Sequence, residues 1–275
     1  MTRPSGSYSS RRKIMPKKYY NIEEIFQKYK NKIYWLAISI THNDYDAQDV
    51  LQNVFLKIVE KIKYFRGESH LATWIYRIAY NESLLQLKKK YRQTTLPRIL
   101  DRQPKEVLRG LVVNWSQLPD EQLLDDEFKQ RIEQTIRNMP IKYRTGLILH
   151  HLEGLSLKEM AKILKLNVNS LKTRLHRAYL FLRNDIAAYD NDIRKRTPKH
   201  DPKCGIYTKF VYDYLQQNLP KRKQRSFAKH INDCSSCKSF LTAYKKALLI
   251  TKSLECQDIP PELQQKLETF LFKNR

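Results

Sequence analysis

Apolar residues recur at helical spacing over most of the chain. Six of them between Ala47 and Ile58 follow i, i+3, i+4, i+7, i+8 and i+11, which places them on one face of a helix. A second stripe runs from Leu71 to Ala79, and the helical period returns over residues 128 to 188. We find no convincing alternation of the kind that is typical of strands. The pattern therefore predicts an essentially all-α fold.

Interruptions of this period predict the domain organisation. Residues 93 to 125 contain three prolines and lose the helical period, which is typical of a linker. A basic joint that also contains prolines, residues 194 to 202, precedes a shorter final block. We predict a tail over 1–20, helical domains over 21–92 and 126–190 that flank a linker over 93–125, and a small helical domain over 200–275.

The charge of the chain predicts a polyanionic partner. Among 275 residues, 52 Lys and Arg face 28 Asp and Glu, a net charge of +24. This excess favours nucleic acid over a membrane, although high solubility alone is the alternative. The first twenty residues carry six basic residues and no acidic one, which predicts a disordered basic tail. Apolar runs are shorter than a bilayer requires and no signal-peptide core is evident, so we expect a cytoplasmic protein without a membrane partner.

A helix-turn-helix motif is predicted within the second helical domain. Ser156 and Glu159 have the spacing of a capping box, and the short helix that they begin runs through Leu164. A three-residue turn over 165–167 follows, and its last residue, Asn167, can cap a second helix that would enter the major groove of DNA. An ordinary helical hairpin with a solvated basic face is the alternative. The residues suited to base edges and phosphates on this second helix are Asn169, Ser170, Lys172, Thr173, Arg174 and Arg177.

Three of the four cysteines cluster with a histidine in the final block. Cys204, His230, Cys234 and Cys237 have the spacing C-x25-H-x3-C-x2-C, and His230 and Cys234 would share a helix face. Three thiolates and one imidazole predict a tetrahedral Zn²⁺ site rather than a Mg²⁺ or Ca²⁺ site. Copper(I) and free cysteines are the alternatives. Cys256 is interpreted as an ordinary helix residue, with a resolving thiol as the alternative.

Three ordered segments resemble the bacterial RNA polymerase sigma factors of the extracytoplasmic-function group. Residues 46–55, Asp-Ala-Gln-Asp-Val-Leu-Gln-Asn-Val-Phe, are similar to the first signature helix of that family, and residues 74–81, Trp-Ile-Tyr-Arg-Ile-Ala-Tyr-Asn, to the next. Residues 155–183 resemble its promoter-reading helix-turn-helix. The resemblance covers about residues 22 to 187. It implies two sigma domains, of which the first binds core RNA polymerase and the minus-ten element and the second binds the minus-thirty-five element.

The same resemblance assigns residues in the first sigma domain. The expected polymerase-binding residues are Asp46, Asp49, Gln52 and Asn53. The last three lie on the outward face of their helix, and mere solvation is the alternative for them. The expected DNA-binding residues, which include aromatic side chains able to stack on a base, are Tyr64, Phe65, Arg66, Trp74, Arg77 and Asn81. Tyr64 and Phe65 could instead belong to the core, as could the indole of Trp74. Lys165 replaces the glycine that the family usually has in the turn, and a positive φ there would strain a bulky residue.

The final block resembles the zinc-binding anti-sigma domain. Residues 214–220, Tyr-Leu-Gln-Gln-Asn-Leu-Pro, precede the His-x3-Cys-x2-Cys segment as in that domain, but the usual Asp-Gly pair is missing. The fusion implies an intramolecular contact with the sigma domains that restrains or adjusts promoter binding. Loss of zinc or oxidation of the thiolates would then change the restraint. A purely structural role for this domain is the alternative.

The predicted function is therefore that of a sigma factor which directs RNA polymerase to specific promoters and is modulated by a fused zinc-binding domain. The chain shows no phosphate-cradling glycine loop, no paired acid-base carboxylates and no nucleophile constellation, so we predict that it is not an enzyme. The alternatives are a helix-turn-helix regulator, or a metal or redox sensor, that acts without recruiting polymerase.

Overall fold

A computed structural model describes residues 20–92, 94–101, 111–118, 125–152, 154–189 and 204–273. The predicted basic tail lies outside the described residues except for Tyr20, and so does the basic joint over residues 194–202. Within the described ranges, no helix combines the length and the apolar character needed to cross a bilayer.

The first domain is built from three long helices that pack on one another. Polar side chains begin two of them, because Asn21 accepts a hydrogen bond from the Glu23 N–H and Asn43 accepts one from the Asp46 N–H. The apolar stripe predicted between Ala47 and Ile58 is wholly buried in the second helix. The elements are α1 (Ile22–Thr41), α2 (Asp44–Lys61), a 3-10 turn (Ile62–Tyr64) and α3 (Leu71–Lys90).

The linker and the second domain follow. The described parts of the linker contain α4 (Leu96–Leu100), β1 (Leu111–Val113) and a 3-10 turn (Trp115–Gln117). The second domain has four helices, of which the last two form the predicted helix-turn-helix. They are α5 (Asp126–Asn138), α6 (Ile141–Leu152), α7 (Leu157–Leu164) and α8 (Val168–Tyr189).

The C-terminal block is also helical, and its longest helix packs along α8. Its helices are α9 (Gly205–Thr208), α10 (Val211–Leu215), α11 (Lys221–Asp233) and α12 (Ser235–Lys252). The chain then forms β2 (Leu254–Cys256) and α13 (Pro261–Glu268), which continues as a π-helical segment (Thr269–Lys273).

The all-α class is confirmed, with one small exception. Strands β1 and β2 pair in an antiparallel ladder that joins the linker to the C-terminal block. Each strand has three residues, which is too short for an alternating pattern to be recognised. The interpretation of Cys256 as a helix residue is therefore wrong, because Cys256 is the last residue of β2.

The two sigma-like domains contact each other directly. Helix α3 packs against α7, where the Thr73 hydroxyl donates a hydrogen bond of 3.0 Å to the Glu159 carboxylate. Helix α6 packs against α1, where the buried Arg144 guanidinium donates to the Ser39 carbonyl at 2.7 Å. The structure is thus a closed arrangement in which the helix-turn-helix lies against the first domain.

Candidate metal centre and DNA-binding surfaces

The helix-turn-helix is organised by the local hydrogen bonds that the sequence predicts. The Glu159 N–H donates to the Ser156 hydroxyl at 3.3 Å, and the Ser156 N–H donates to the Glu159 carboxylate at 2.9 Å, which completes the capping box. Lys165 is the C-cap residue that follows α7, and its φ of 54° lies in the left-handed region that disfavours a bulky residue. Asn167 then accepts a hydrogen bond of 2.7 Å from the Ser170 N–H at the start of α8.

Helix α8 has a buried apolar face and a polar face, as its helical period requires. Leu171, Leu175, Ala178 and Leu182 are buried, whereas Val168 is only half-buried. Of the six residues predicted to bind DNA, three are exposed and three are partly buried. The exposed ones are Asn169, Thr173 and Arg177, and the partly buried ones are Ser170, Lys172 and Arg174.

Three of the predicted DNA-binding side chains already have neighbours within the chain. Arg177 donates to the Tyr143 hydroxyl at 3.0 Å. The Lys172 ammonium lies 2.7 Å from the carboxylate of Asp213 in α10. Burial raises the pKa of Tyr80 in α3, and the positive charge of Arg174 nearby opposes that rise. In the closed arrangement the predicted reading face is therefore only partly free.

The C-terminal block covers one stripe of α8. Lys172, His176, Tyr179 and Arg183 are spaced i, i+4, i+7 and i+11, so they lie along one face of the helix. Each of them contacts α10 or α12, and the sequence alone did not indicate these contacts. The contacts are the Lys172–Asp213 ion pair, the hydrogen bond between His176 and Tyr244, the stacking of Tyr179 on Tyr212, and the Arg183 guanidinium above the Phe240 ring.

The aromatic part of this stripe is closely packed. The His176 Nδ1 lies 3.0 Å from the Tyr244 hydroxyl, and the two rings stack with centroids 5.7 Å apart. Burial, followed by the charge of Arg177, lowers the pKa of His176, so the imidazole is neutral at pH 7. The Arg183 guanidinium lies 4.4 Å from the Phe240 ring centroid, within the range of a cation–π interaction.

The loop before α3 carries the predicted base-stacking residues. Tyr64 is 71% exposed, so the alternative that it belongs to the core is wrong. Phe65 is partly buried, with ring centroids 5.7 Å from Tyr20 and 5.4 Å from the half-buried Trp74. The rings of Tyr64, Phe65 and Trp74 line a pocket of about 280 Å³ together with Arg66, Glu68, Ser69 and Arg77. Farther along α3, Asn81 is half-buried.

The predicted polymerase-binding residues on α2 divide into two groups. Asp49 and Asn53 are exposed and Gln52 is partly exposed, so these three present a polar surface. Asp46, in contrast, accepts a hydrogen bond of 2.9 Å from Gln86 and lies 3.8 Å from the Lys90 ammonium. Asp46 therefore ties α2 to α3.

The four predicted metal ligands converge. Cys204, His230, Cys234 and Cys237 place their ligand atoms within 4.8 Å of one another. The sulfurs of Cys204 and Cys234 are 3.8 Å apart, and the His230 Nε2 is 3.2 Å from the Cys237 sulfur. A tetrahedral site with Zn–S bonds of about 2.3 Å separates two sulfurs by about 3.8 Å, so the cluster fits a metal ion of this kind.

The surroundings of the cluster orient its ligands. The Tyr207 ring stacks on the His230 imidazole with centroids 3.8 Å apart and an angle of 4° between the planes. A hydrogen bond from the Cys237 backbone lowers the pKa of Cys234, which favours the thiolate that binds metals. Burial raises the pKa of Cys237, so its thiolate would need a nearby cation.

Cys256 lies outside this cluster. Burial raises the pKa of its thiol to about 12, so the thiolate is scarce at neutral pH. The alternative role as a resolving thiol therefore gains no support from its surroundings.

Comparison with known proteins places the similarity in the first two domains. The protein-family model described as "Sigma-70 region 2" matches residues 25–93 of the chain. The family model described as "Sigma-70, region 4" matches residues 129–182. The metal cluster lies outside both matched ranges.

Individual relatives agree with these matches. The chain is 31% identical over 163 residues to the ECF RNA polymerase sigma factor SigW of Bacillus subtilis, which covers 59% of this chain and 87% of that protein. It is 31% identical over 170 residues to the ECF RNA polymerase sigma-E factor of Haemophilus influenzae, with coverages of 62% and 88%. The RNA polymerase sigma-H factor of Pseudomonas aeruginosa is 31% identical over 151 residues, with coverages of 55% and 78%.

Proposed function

Because the chain belongs to the ECF family of RNA polymerase sigma factors, we propose that its C-terminal domain is a built-in, metal-dependent restraint on promoter binding. The chain binds core RNA polymerase and promoter DNA and directs transcription initiation, which is a regulatory rather than a catalytic role. The observation that carries the proposal is the packing of α10 and α12 along the recognition helix α8.

The restraint has a steric basis. The major groove of DNA is about 12 Å wide, and a helix with its side chains is about 10–12 Å across. A groove that receives the first turns of α8 therefore has no room beside Lys172 for α10, whose Asp213 contacts that side chain. The C-terminal domain also pairs the Lys172 ammonium with Asp213, and this ammonium would otherwise be available to DNA. We propose that the domain must leave α8 before the minus-thirty-five element can bind.

The residues of the helix-turn-helix have separate roles in this proposal. In the closed arrangement the exposed side chains are those of Asn169, Thr173 and Arg177. The side chains of Lys172 and Arg174 become available to DNA when the domains separate. Ser170 lies in the first turn of α8, and because Asn167 accepts its N–H, its hydroxyl is the group that can donate to a phosphate.

The first domain supplies two further surfaces. We propose that Asp49, Gln52 and Asn53 on α2 contact core polymerase and that Asp46 supports them from its place against α3. The pocket beside Tyr64 has the chemistry to receive an unstacked base of the minus-ten element, because a base offers a face for aromatic stacking. Its DNA-binding residues would be Tyr64, Phe65, Arg66, Trp74, Arg77 and, farther along α3, Asn81.

We propose Zn²⁺ as the metal of the C-terminal cluster, held by the three cysteines and His230. A closed set of three thiolates and one imidazole suits structural zinc, which contributes folding free energy to a small domain. Loss of the metal, or oxidation of the thiolates, would unfold the domain and free α8. A purely structural tail is the competing role.

A chain that ends at Ile193 tests the restraint. We expect it to initiate promoter-specific RNA synthesis with core polymerase at least about tenfold more efficiently than the full chain, because α8 is uncovered. The measurement is run-off transcription at equal protein concentrations. Equal activity of the two chains would contradict the proposed restraint but not the sigma function. Failure of both to initiate on any template would contradict the proposed role at promoters.

Replacing Arg174 tests base reading by α8. In the shortened chain, Arg174→Ala should weaken binding to promoter DNA by about tenfold or more, since a side chain that reads a base contributes about 1–3 kcal/mol of discrimination. Binding to unrelated DNA should change much less. Lys162→Ala, which removes an exposed basic residue of α7, is the matched control and should affect both DNAs equally. If Arg174→Ala weakened binding to promoter DNA and to unrelated DNA equally, Arg174 would instead be a phosphate contact.

A further inference from the structure

One segment of the linker, β1, pairs as a strand with β2 of the C-terminal block. In the antiparallel ladder of β1 and β2, Val113 faces Leu254 and Val112 faces Glu255. The ladder continues one residue further, where the Asn114 N–H donates to the Ser253 carbonyl at 2.7 Å. Because backbone hydrogen bonds hold the pair, the linker is captured by strand addition, a common way to bind an extended segment.

Side chains reinforce this capture at the end of β1. The exposed Glu255 carboxylate accepts hydrogen bonds from the side-chain amides of Asn114 at 2.9 Å and Gln117 at 2.8 Å. Val113 is only 5% exposed. The Trp115 ring packs on Phe128 of α5 with centroids 6.3 Å apart. The captured segment is therefore fixed to both the C-terminal block and the second domain.

This capture limits how far the two sigma domains can separate. The centres of the minus-ten and minus-thirty-five elements are about 25 base pairs apart, or about 85 Å of DNA at roughly 3.4 Å per pair. A free linker of about 35 residues between α3 and α5 could extend over that distance, at about 3.3–3.6 Å per residue. With β1 paired to β2 and Trp115 packed on α5, about 20 residues remain on the side of α3, which reach about 70 Å at most. The segment that follows β2 is held on α1, because the Trp35 indole N–H donates to the Gln257 carbonyl and the Asn31 side-chain amide donates to the Asp258 carboxylate at 2.6 Å. The strand pair therefore links the first domain to the second.

We propose that β2 is a docking edge for the chain's own linker and that the β1–β2 pair holds the two sigma domains together until it opens. The inference rests on the proposed function, since it concerns how promoter binding is restrained. It adds a second contact that contains none of the four metal ligands. Full activity therefore requires both the departure of α12 from α8 and the opening of the strand pair.

A reversible disulfide across the ladder tests this proposal. The hydrogen bond from Asn114 to Ser253 makes these two residues a hydrogen-bonded pair of the ladder. Hydrogen-bonded and non-hydrogen-bonded pairs alternate along an antiparallel ladder, so the next pair, Val113 and Leu254, is a non-hydrogen-bonded one. The Cα atoms of such a pair are about 4.5 Å apart, which a disulfide can bridge. Val113→Cys and Leu254→Cys are introduced together in the full chain, with Cys256→Ser to remove the neighbouring thiol.

The oxidised double variant should initiate RNA synthesis on a promoter at least about tenfold less than the same protein after reduction. The single variants Val113→Cys and Leu254→Cys retain the metal ligands, so they control for effects of the oxidant on the cluster. Equal initiation by the oxidised and reduced double variants, with the cross-link confirmed by gel mobility, would overturn the proposal. If neither the reduced variants nor the unmodified chain initiated RNA synthesis, the sigma function itself would be contradicted.

A second variant opens the pair without a cross-link. Glu255→Pro removes a backbone donor and both side-chain bonds to the linker. We expect initiation to rise several-fold and protease cleavage of the linker to become faster, with the metal content of the protein unchanged. Glu262→Ala, which changes a carboxylate on the exposed first turn of α13, is the matched control. Unchanged initiation and unchanged cleavage in Glu255→Pro would contradict the role of the strand pair.

Discussion

Replacing Cys234 with Ser, or removing the metal with a chelator, should raise promoter-specific initiation by the full chain by about tenfold. The apparent binding free energy of a structural zinc ion is about 10–16 kcal/mol in small zinc-binding peptides, and it is folding free energy for such a domain. Without the metal, we expect α10 and α12 to lose their packing on α8. The measurements are run-off transcription with core polymerase and metal content by mass spectrometry.

Cys256→Ser is the matched control for this prediction. Cys256 is also a partly buried cysteine of the C-terminal block, but it is not one of the four clustered ligands. We expect this variant to retain both the metal and the low initiation of the full chain. A Cys234→Ser protein that has lost its metal and still initiates no better than the full chain would contradict a metal-dependent restraint. Peroxide should also raise initiation by the full chain, because it oxidises the thiolates that would bind the metal.

Arg144→Met should lower the free energy of unfolding of the paired sigma domains by about 3 kcal/mol. Arg144 is fully buried and donates to the Ser39 carbonyl at the end of α1 and to the Met139 carbonyl before α6. Methionine fills a similar volume but leaves these buried carbonyls without donors, at about 1–3 kcal/mol each before the structure relaxes. Hydrogen exchange at the amides of α1 and α6 measures the loss.

The surroundings of Arg144 explain why the effect should be large. Arg144 also contacts the imidazole of His42, the C-cap residue of α1, whose backbone is in the left-handed conformation. Burial, followed by the charge of Arg144, lowers the pKa of His42 to about 2, so this ring stays neutral and can accept a hydrogen bond. Burial also lowers the pKa of Arg144 to about 9, which leaves the guanidinium charged at neutral pH.

Arg131→Met is the control for Arg144→Met. Arg131 belongs to the same domain, but its side chain is 46% exposed and its contact with Asp185 is a surface ion pair of 3.5 Å. Such a pair contributes about 0–1 kcal/mol, so the free energy of unfolding should change little. Equal effects of the two substitutions would show that the Arg144 hydrogen bonds do not hold α1 and α6 together.

The local features of the protein could be predicted from its sequence. The stripe on α2, the capping box of Ser156 and Glu159, and the cap formed by Asn167 all depend on residues within one or a few helical turns. Their geometry follows from the helix itself, so spacing is sufficient to recognise them. The four clustered residues that could hold a metal ion were recognisable for a different reason, because few other roles bring three cysteines and a histidine so close in a sequence.

The closed arrangement could not be read from spacing. The partner of Lys172 is 41 residues away in Asp213, and β1 pairs with a strand more than 130 residues further along the chain. Tyr64 illustrates the same limit on a smaller scale, since an aromatic residue before a helix can face either the core or the solvent. Periodicity gives the buried face of an element but not the element that covers it.

The sequence by itself therefore determined the helices, the helix-turn-helix, the cluster of three cysteines and one histidine, and the family. The tertiary structure decided which of the polar surfaces are free, because it places α12 on α8, Arg144 on α1 and the linker on β2. The physical reason is that helix periodicity and capping are short-range properties of the chain. The packing of one surface on another depends on complementary shape and charge between distant segments.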